Sequence, residues 1–121
     1  MGPILIVDDE FGIVEVIRDF LQDEGYRTAI ALNGRQALEL MAVERPAMVL
    51  LDYMMPVMNG GELLEFMKAS SELSTIPVVL MSASPPRTWQ GLPTTALLLK
   101  PFGLAELITA VHHAVGVPPR K

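Results

Sequence analysis

The chain has no cysteine. It can form no disulfide and offers no thiolate ligand or nucleophile, as suits a reducing compartment. No apolar run approaches the length of a membrane span. The first apolar run ends at Asp8, which is too short for a signal peptide. These absences set the expectation of a cytoplasmic protein with no membrane partner. Basic residues are also in the minority: 9 Lys and Arg stand against 14 Asp and Glu, for a net charge of −5. Phosphate contacts need a basic face, so the domain itself is expected to make no direct contact with nucleic acid. Any action on DNA would fall to another domain or a partner. There is no internal repeat and no low-complexity block. A length of 121 residues fits one domain with enough core to fold without staples.

What the chain does have is four short apolar runs, each ending on a reactive group. Ile4-Leu5-Ile6-Val7 leads into Asp8-Asp9-Glu10. Ala47-Met48-Val49-Leu50-Leu51 leads into Asp52. Pro77-Val78-Val79-Leu80-Met81 leads into Ser82, and Ala96-Leu97-Leu98-Leu99 into Lys100-Pro101. Continuous apolar runs of this length suit strands buried on both faces. Arg27 to Ala31 is a weaker strand, expected nearer an edge.

Helical spacing fills the intervals. Ile13, Val16, Ile17, Phe20 and Leu21 mark one helical face, with Gly25 placed to end that helix. Asn33 is placed to cap a second helix carrying Ala37, Leu38 and Met41, stopped by Pro46. Asp52 to Gly61 reads as a loop, with Asn59-Gly60 as a turn signal. A third helix carries Leu63, Leu64 and Met67. The last carries Leu104, Leu107, Ile108, Val111 and Val115. Such alternation implies parallel strands, right-handed crossovers and helices on both faces. The exception lies between Ser82 and Lys100, where residues 83 to 95 hold three prolines and a glycine. Interior proline costs a helix ~3 kcal/mol. Any helix there is short and starts at Pro85 or Pro86, with Trp89 and Leu92 as its anchors.

If the four runs are parallel strands, their carboxyl ends meet at the sheet edge where open α/β sheets place their sites. Like charges ~4 Å apart repel by about 4 kcal/mol at an effective dielectric of 20. Asp8, Asp9 and Asp52 cannot all stay ionised without a raised pKa or a bound cation. An all-carboxylate cluster favours magnesium over zinc. Taken alone, Asp8, Asp9 and Glu10 read as cap and first-turn acids of the first helix, Ser82 as a strand-end turn residue and Lys100 as a surface lysine. Asp52, at the end of a buried strand, changes that balance. A carboxylate can attack phosphorus to give an acyl phosphate, while a metal and a cation neutralise the phosphoryl oxygens.

Ile6-Val7-Asp8-Asp9-Glu10, Leu51-Asp52-Tyr53-Met54-Met55-Pro56-Val57-Met58-Asn59-Gly60, Ser82-Ala83 and Lys100-Pro101-Phe102 together resemble the receiver domain of two-component response regulators. The resemblance covers nearly the whole chain. It implies a flavodoxin-like three-layer α/β/α fold with a five-stranded parallel sheet of order 2-1-3-4-5, while the proline-rich stretch after Ser82 departs from the family and sets the expectation of a shortened or unwound fourth helix. The domain would run over residues 1–117, with 118–121 as a tail or linker start. Asp52 would accept a phosphoryl group from the phosphohistidine of a sensor histidine kinase or phosphotransfer protein. Asp9, Asp52 and the Met54 carbonyl would bind Mg2+ (or Mn2+) directly, with Asp8 acting largely through water. Lys100 would contact the phosphoryl oxygens, and Ser82 would move to hydrogen-bond them. Ala83 is small and leaves the phosphorus accessible, while Met54 and Ser84 tune the lifetime of the phosphorylated state. The family's Lys-Pro bond is often cis, and the sequence leaves Lys100-Pro101 open.

The resemblance describes a phosphoacceptor, not an enzyme in the usual sense, although it catalyses its own phosphorylation and dephosphorylation. A monomer or weak dimer is expected, with an unknown output domain or protein. Two departures stand out. Leu97 occupies the position, three before the lysine, where receivers carry an aromatic residue. The stretch from Ser82 to Lys100 is short and rich in proline. The alternative is therefore a receiver-like scaffold or binding module whose output is non-standard or independent of phosphorylation. A phosphatase with an aspartyl nucleophile is disfavoured, because Met54 stands where its acid would be. His112 and His113 lie off the apolar stripe of the last helix and read as solvated surface.

Overall fold

The computed structural model describes residues 2–55, 57–85, 87, 91 and 94–117. Five strands and four helices are present among them: β1 (Ile4–Val7), α1 (Phe11–Asp23), β2 (Thr28–Ala31), α2 (Gly34–Val43), β3 (Met48–Asp52), α3 (Gly60–Ala69), β4 (Val78–Ser82), β5 (Ala96–Leu99) and α4 (Leu104–Val115). The sheet is parallel throughout, in the order β2-β1-β3-β4-β5. This is the expected doubly wound, flavodoxin-like arrangement.

Strand side chains alternate between two apolar layers. Ile4, Ile6, Met48, Leu50, Val79, Met81 and Leu98 pack with Val14, Ile17 and Leu21 of α1 and with Leu107 and Val111 of α4. Leu5, Val7, Val49, Leu51, Val78 and Leu80 pack on the other face with Ala37 and Met41 of α2 and with Leu63, Leu64 and Met67 of α3. Each such side chain contributes about 1.5–3 kcal/mol when fully buried. Every residue of β1, β3 and β4 is buried, whereas the edge strands β2 and β5 are only partly so. Edge strands carry one neighbour, which accounts for the weaker pattern of residues 27 to 31.

Some boundaries and faces differ from the sequence reading. In α1 the core face is Val14, Ile17 and Leu21, a 3-4 spacing, while Val16 is 58 % exposed. Gly25 follows the helix with φ 100°, as a C-terminal glycine should. Helix α2 ends at Val43, before Pro46 is reached, because the residues ahead of a proline already favour extended backbone. The loop after Asp52 stops at Asn59. Asn59 is the N-cap of α3 and forms a reciprocal capping box with Glu62; Gly60 and Gly61 are helical, not turn residues. A Cβ at Gly60 would lie 2.8 Å from the Asp52 carbonyl oxygen, so only glycine lets α3 start this close to the end of β3.

No α-helix occurs among the described residues between β4 and β5. The expected anchors Trp89 and Leu92, the candidate helix start Pro86, and the tail 118–121 lie outside the described residues. The Lys100-Pro101 bond is cis. His112 and His113 are exposed, as expected.

Candidate functional site

Beta ladders set the site. Asp8 follows Val7 and Lys100 follows Leu99, and both continue the ladder through their backbone N–H groups, to Ala31 O (3.1 Å) and Ser82 O (2.9 Å). Strand alternation carries Asp8, Asp52 and Lys100 to the α1/α4 side of the sheet, the side of Ile6, Leu50 and Leu98. Strands β1 and β3 are neighbours although β2 intervenes in sequence. Asp8 and Asp52 therefore flank the point where the strand order reverses, the usual ligand crevice of an open α/β sheet.

The side chains converge there. Lys100 Nζ lies 2.9 Å from Asp8 Oδ2, 3.4 Å from Asp52 Oδ1 and 3.5 Å from Glu10 Oε1. Asp8 is fully buried and Asp52 is 5 % exposed. Asp8 Oδ1 also accepts the Glu10 backbone N–H at 3.0 Å. Asp8, Asp9 and Asp52 offer carboxylate oxygens that all lie within 4.8 Å of one another. One ammonium cannot offset so many carboxylates, and the excess falls on Asp52. Burial pushes its carboxyl up to about 6, Asp8 and Asp9 add to the rise, and Lys100 opposes it. For Lys100 burial acts downward, but the hydrogen bond and charge of Asp8 and the charge of Asp52 outweigh it and raise its pKa.

Asp8, Asp9, Asp52 and Lys100 are thus brought together as expected. The cap-and-first-turn reading of the early acids does not describe them: Glu10 stands at the N-cap of α1 but makes no side-chain cap, and no acid lies in the first turn. Ser82 is buried at the end of β4, on the opposite side of the sheet by alternation, and its Oγ accepts the Ser84 N–H at 3.1 Å. Ala83 borders a cavity shared with Lys100. Met54 is 68 % exposed on the loop that follows Asp52.

That loop is held on both sides. Gly60 N–H donates to Tyr53 O at 2.9 Å, and Gly34 N–H at the start of α2 donates to Met58 O at 3.0 Å. Between these anchors Val57 has φ 67°, a strained conformation for a β-branched residue. Leu97 is half-buried and packs on the α2/α3 side. The sequence does not announce Glu10 as a partner of Lys100, although Glu10 directly follows the aspartate pair.

The family model described as "Response regulator receiver domain" matches residues 4–112. The chain is a receiver domain. The receiver is 46 % identical over 80 residues to sporulation initiation phosphotransferase F of Bacillus subtilis, covering 66 % of this chain and 63 % of that protein. It is 36 % identical over 113 residues to the DNA-binding response regulator MtrA of Mycobacterium tuberculosis, covering 90 % of this chain and 48 % of that protein. It thus spans about half to under two thirds of the length of these relatives. MtrA is a DNA-binding protein by name, so the expectation of no nucleic-acid contact gains no support from its relatives. Among solved structures, the receiver domain of a sensor histidine kinase from Pseudomonas aeruginosa PAO1 superposes with a TM-score of 0.85 at 26 % identity, over 96 % of this chain and 99 % of that one. That structure has a magnesium ion coordinated in its active-site cleft. No helix among the described residues is long and apolar enough to cross a membrane.

Proposed function

We propose that Asp52 of this receiver accepts a phosphoryl group from a phosphohistidine on a sensor histidine kinase or phosphotransfer protein, and that the phosphorylated form changes its affinity for an output domain or protein. We take the receiver unit to span residues 1–117. The carrying observation is the convergence of Lys100 with Asp8 and Asp52 at 2.9 and 3.4 Å, with Asp9 close by.

The donor set suits a hard divalent cation. Carboxylate oxygens of Asp9 and Asp52, with the backbone carbonyl of Met54, would hold magnesium or manganese directly, and Asp8 would act largely through water. Burial first, and then the charges of Asp8 and Asp9, raise the Asp52 carboxyl to about 6, and a bound cation would offset both. When bound, the ion offsets charge on the phosphoryl oxygens. An oxygen of Asp52 forms the new bond to phosphorus, and the bond from phosphorus to the donor's ring nitrogen breaks, its electron pair staying on the histidine. Lys100 pairs with a phosphoryl oxygen. Ser82 turns its hydroxyl from the Ser84 N–H toward the phosphoryl group, and the small Ala83 leaves room for it.

Incubation with acetyl phosphate and magnesium, followed by intact-protein mass and peptide mapping, tests this. The parent should gain one phosphoryl group on Asp52, and Asp52→Asn should gain none. Equal labelling of Asp52→Asn would refute the assignment. A second reading has support in Leu97, an aliphatic residue three places before Lys100: a scaffold whose partner binds whether or not Asp52 is phosphorylated. Equal partner affinity before and after labelling would favour that reading.

A further inference from the structure

Helix α2 starts against the loop that follows the phosphoacceptor. A helix start leaves its first backbone N–H groups without intrahelical partners. At α2 the Gln36 N–H is met by the Asn33 side chain at 2.8 Å, and the Gly34 N–H by Met58 O at 3.0 Å. A loop carbonyl thus completes the cap of α2. The approach requires glycine. A Cβ at the buried Gly34 would lie 2.8 Å from Met58 O, 2.8 Å from Met58 Cγ and 3.0 Å from Met58 Cβ. The side chain of Met58 can swing aside, but its carbonyl oxygen moves only with the loop.

That loop has little slack. The Tyr53 N–H donates to Met81 O at 3.0 Å, and Tyr53 O accepts the Gly60 N–H at 2.9 Å. Tyr53 is therefore fixed to β4 and to α3, and Met54 is the next residue. Only residues 54–57 separate this hold from Met58. Within them Val57 takes φ 67° although it is 73 % exposed. Packing of an exposed side chain does not impose that conformation; two holds so near in sequence do.

We infer that Gly34 is a positioning residue for the metal site: by holding Met58 O, the first turn of α2 sets where the Met54 carbonyl stands, and so sets the affinity for a divalent cation. The inference rests on the reading that Met54 O, with Asp9 and Asp52, holds that ion. Gly34 touches neither the ion nor the phosphoryl group. It acts through the loop, as groups that support metal ligands do. Magnesium demands near-ideal octahedral geometry at about 2.0–2.1 Å, so a carbonyl displaced with the loop is a poorer ligand. The coupling is reciprocal: an ion that fixes Met54 O also steadies Met58 O and the start of α2.

Binding of Mn2+ alone to the unphosphorylated 121-residue protein, read from loss of the free ion's paramagnetic resonance signal, tests this without any phosphodonor. Gly34→Ala should weaken binding about tenfold. Asn33→Ala removes the cap at Gln36 and keeps glycine at 34; it loosens the same turn and should weaken binding about threefold. Leu38→Ala, at a half-buried position further along α2, should lower the urea midpoint and leave binding within about twofold of the parent. Binding within about twofold of the parent in Gly34→Ala overturns the inference. Should that variant not fold, the same result in Asn33→Ala overturns it. A loss in Leu38→Ala as large as in Gly34→Ala also overturns it, because binding then follows stability alone. Parent binding that Asp9→Asn leaves unchanged overturns the metal-site reading itself, whatever the α2 variants do.

Discussion

The carboxyl ends of β1 and β3 and those of β4 and β5 sit on one sheet edge but differ in how firmly they are specified. At the first pair, Asp8 and Asp52 are buried, share Lys100, and are backed by fully buried strands. The loop after Asp52 is pinned by bonds to Tyr53 and from Gly34. At the second pair, the Ser82 hydroxyl is engaged with Ser84, Leu97 is half-buried, and β5 is a partly exposed edge strand. The two buried carboxylates stand at the ends of interior strands, whereas Leu97 lies on the edge strand β5, where fewer contacts hold each residue and a rearrangement costs less.

The largest expected effect separates these two regions directly. Asp52→Asn should abolish phosphoryl labelling, a loss to background. Leu97→Ala should leave the initial labelling rate within about threefold of the parent and cost roughly 1–2 kcal/mol of stability for a half-buried side chain. Mass spectrometry and urea unfolding supply the two readouts. A large loss of labelling in Leu97→Ala would erase the distinction between receiving and relaying groups.

A second effect lies in the pH dependence of stability, measured with a chelator present. The Asp52 carboxyl is raised from 3.8 to about 6 in the folded chain. Between those values the native state holds more of the proton than the unfolded state does. Stability from this group is therefore full below about pH 4, falls as pH rises, and is lost above about pH 6. A shift of two units corresponds to about 3 kcal/mol at most. Asp52→Asn should be more stable than the parent by about 2–3 kcal/mol at pH 7.5, with the advantage vanishing near pH 4. Millimolar magnesium should raise the parent's unfolding midpoint and close much of that gap, because it binds the folded carboxylates. An advantage for Asp52→Asn that is the same at pH 4 and pH 7.5 would mean that ionisation of the buried carboxyl is not its source.

The fold and most of the site could be read in the sequence for one reason. Buried parallel strands are continuous apolar runs, and the residue that ends each run is delivered to a common edge. The sequence alone therefore places Asp8, Asp52 and Lys100 at one edge. What escaped depends on side-chain direction or on local space. The sequence does not disclose that Val14, not Val16, faces the core, because each has apolar partners at helical spacing: Val14 lies three before Ile17 and seven before Leu21, and Val16 three after Ile13 and four before Phe20. Nor does it distinguish Asn59-Gly60 as a helix cap from a turn, because both uses favour a short polar acceptor and the glycine here answers to the close approach of α3 to the end of β3. Glu10's approach to Lys100 required knowing that Lys100 points back across the sheet end. The cavity that Ala83 shares with Lys100 is a property of surfaces that no run of residues records.

The smallest expected effect concerns the loop that follows Asp52 in the first region. Val57 holds φ 67° and is 73 % exposed, so its strain comes from its own backbone and not from packing. Asparagine tolerates this conformation far better than a β-branched residue. Val57→Asn should therefore stabilise the receiver, by about 1 kcal/mol. If the strained loop only connects β3 to α3, the rate of labelling at Asp52 should not change. If the strain instead helps to set where Met54 and its carbonyl stand, Val57→Asn should weaken the magnesium dependence of labelling while raising the unfolding midpoint. A titration of labelling rate against magnesium, paired with urea unfolding, separates the two, since a connector can alter only the second measurement.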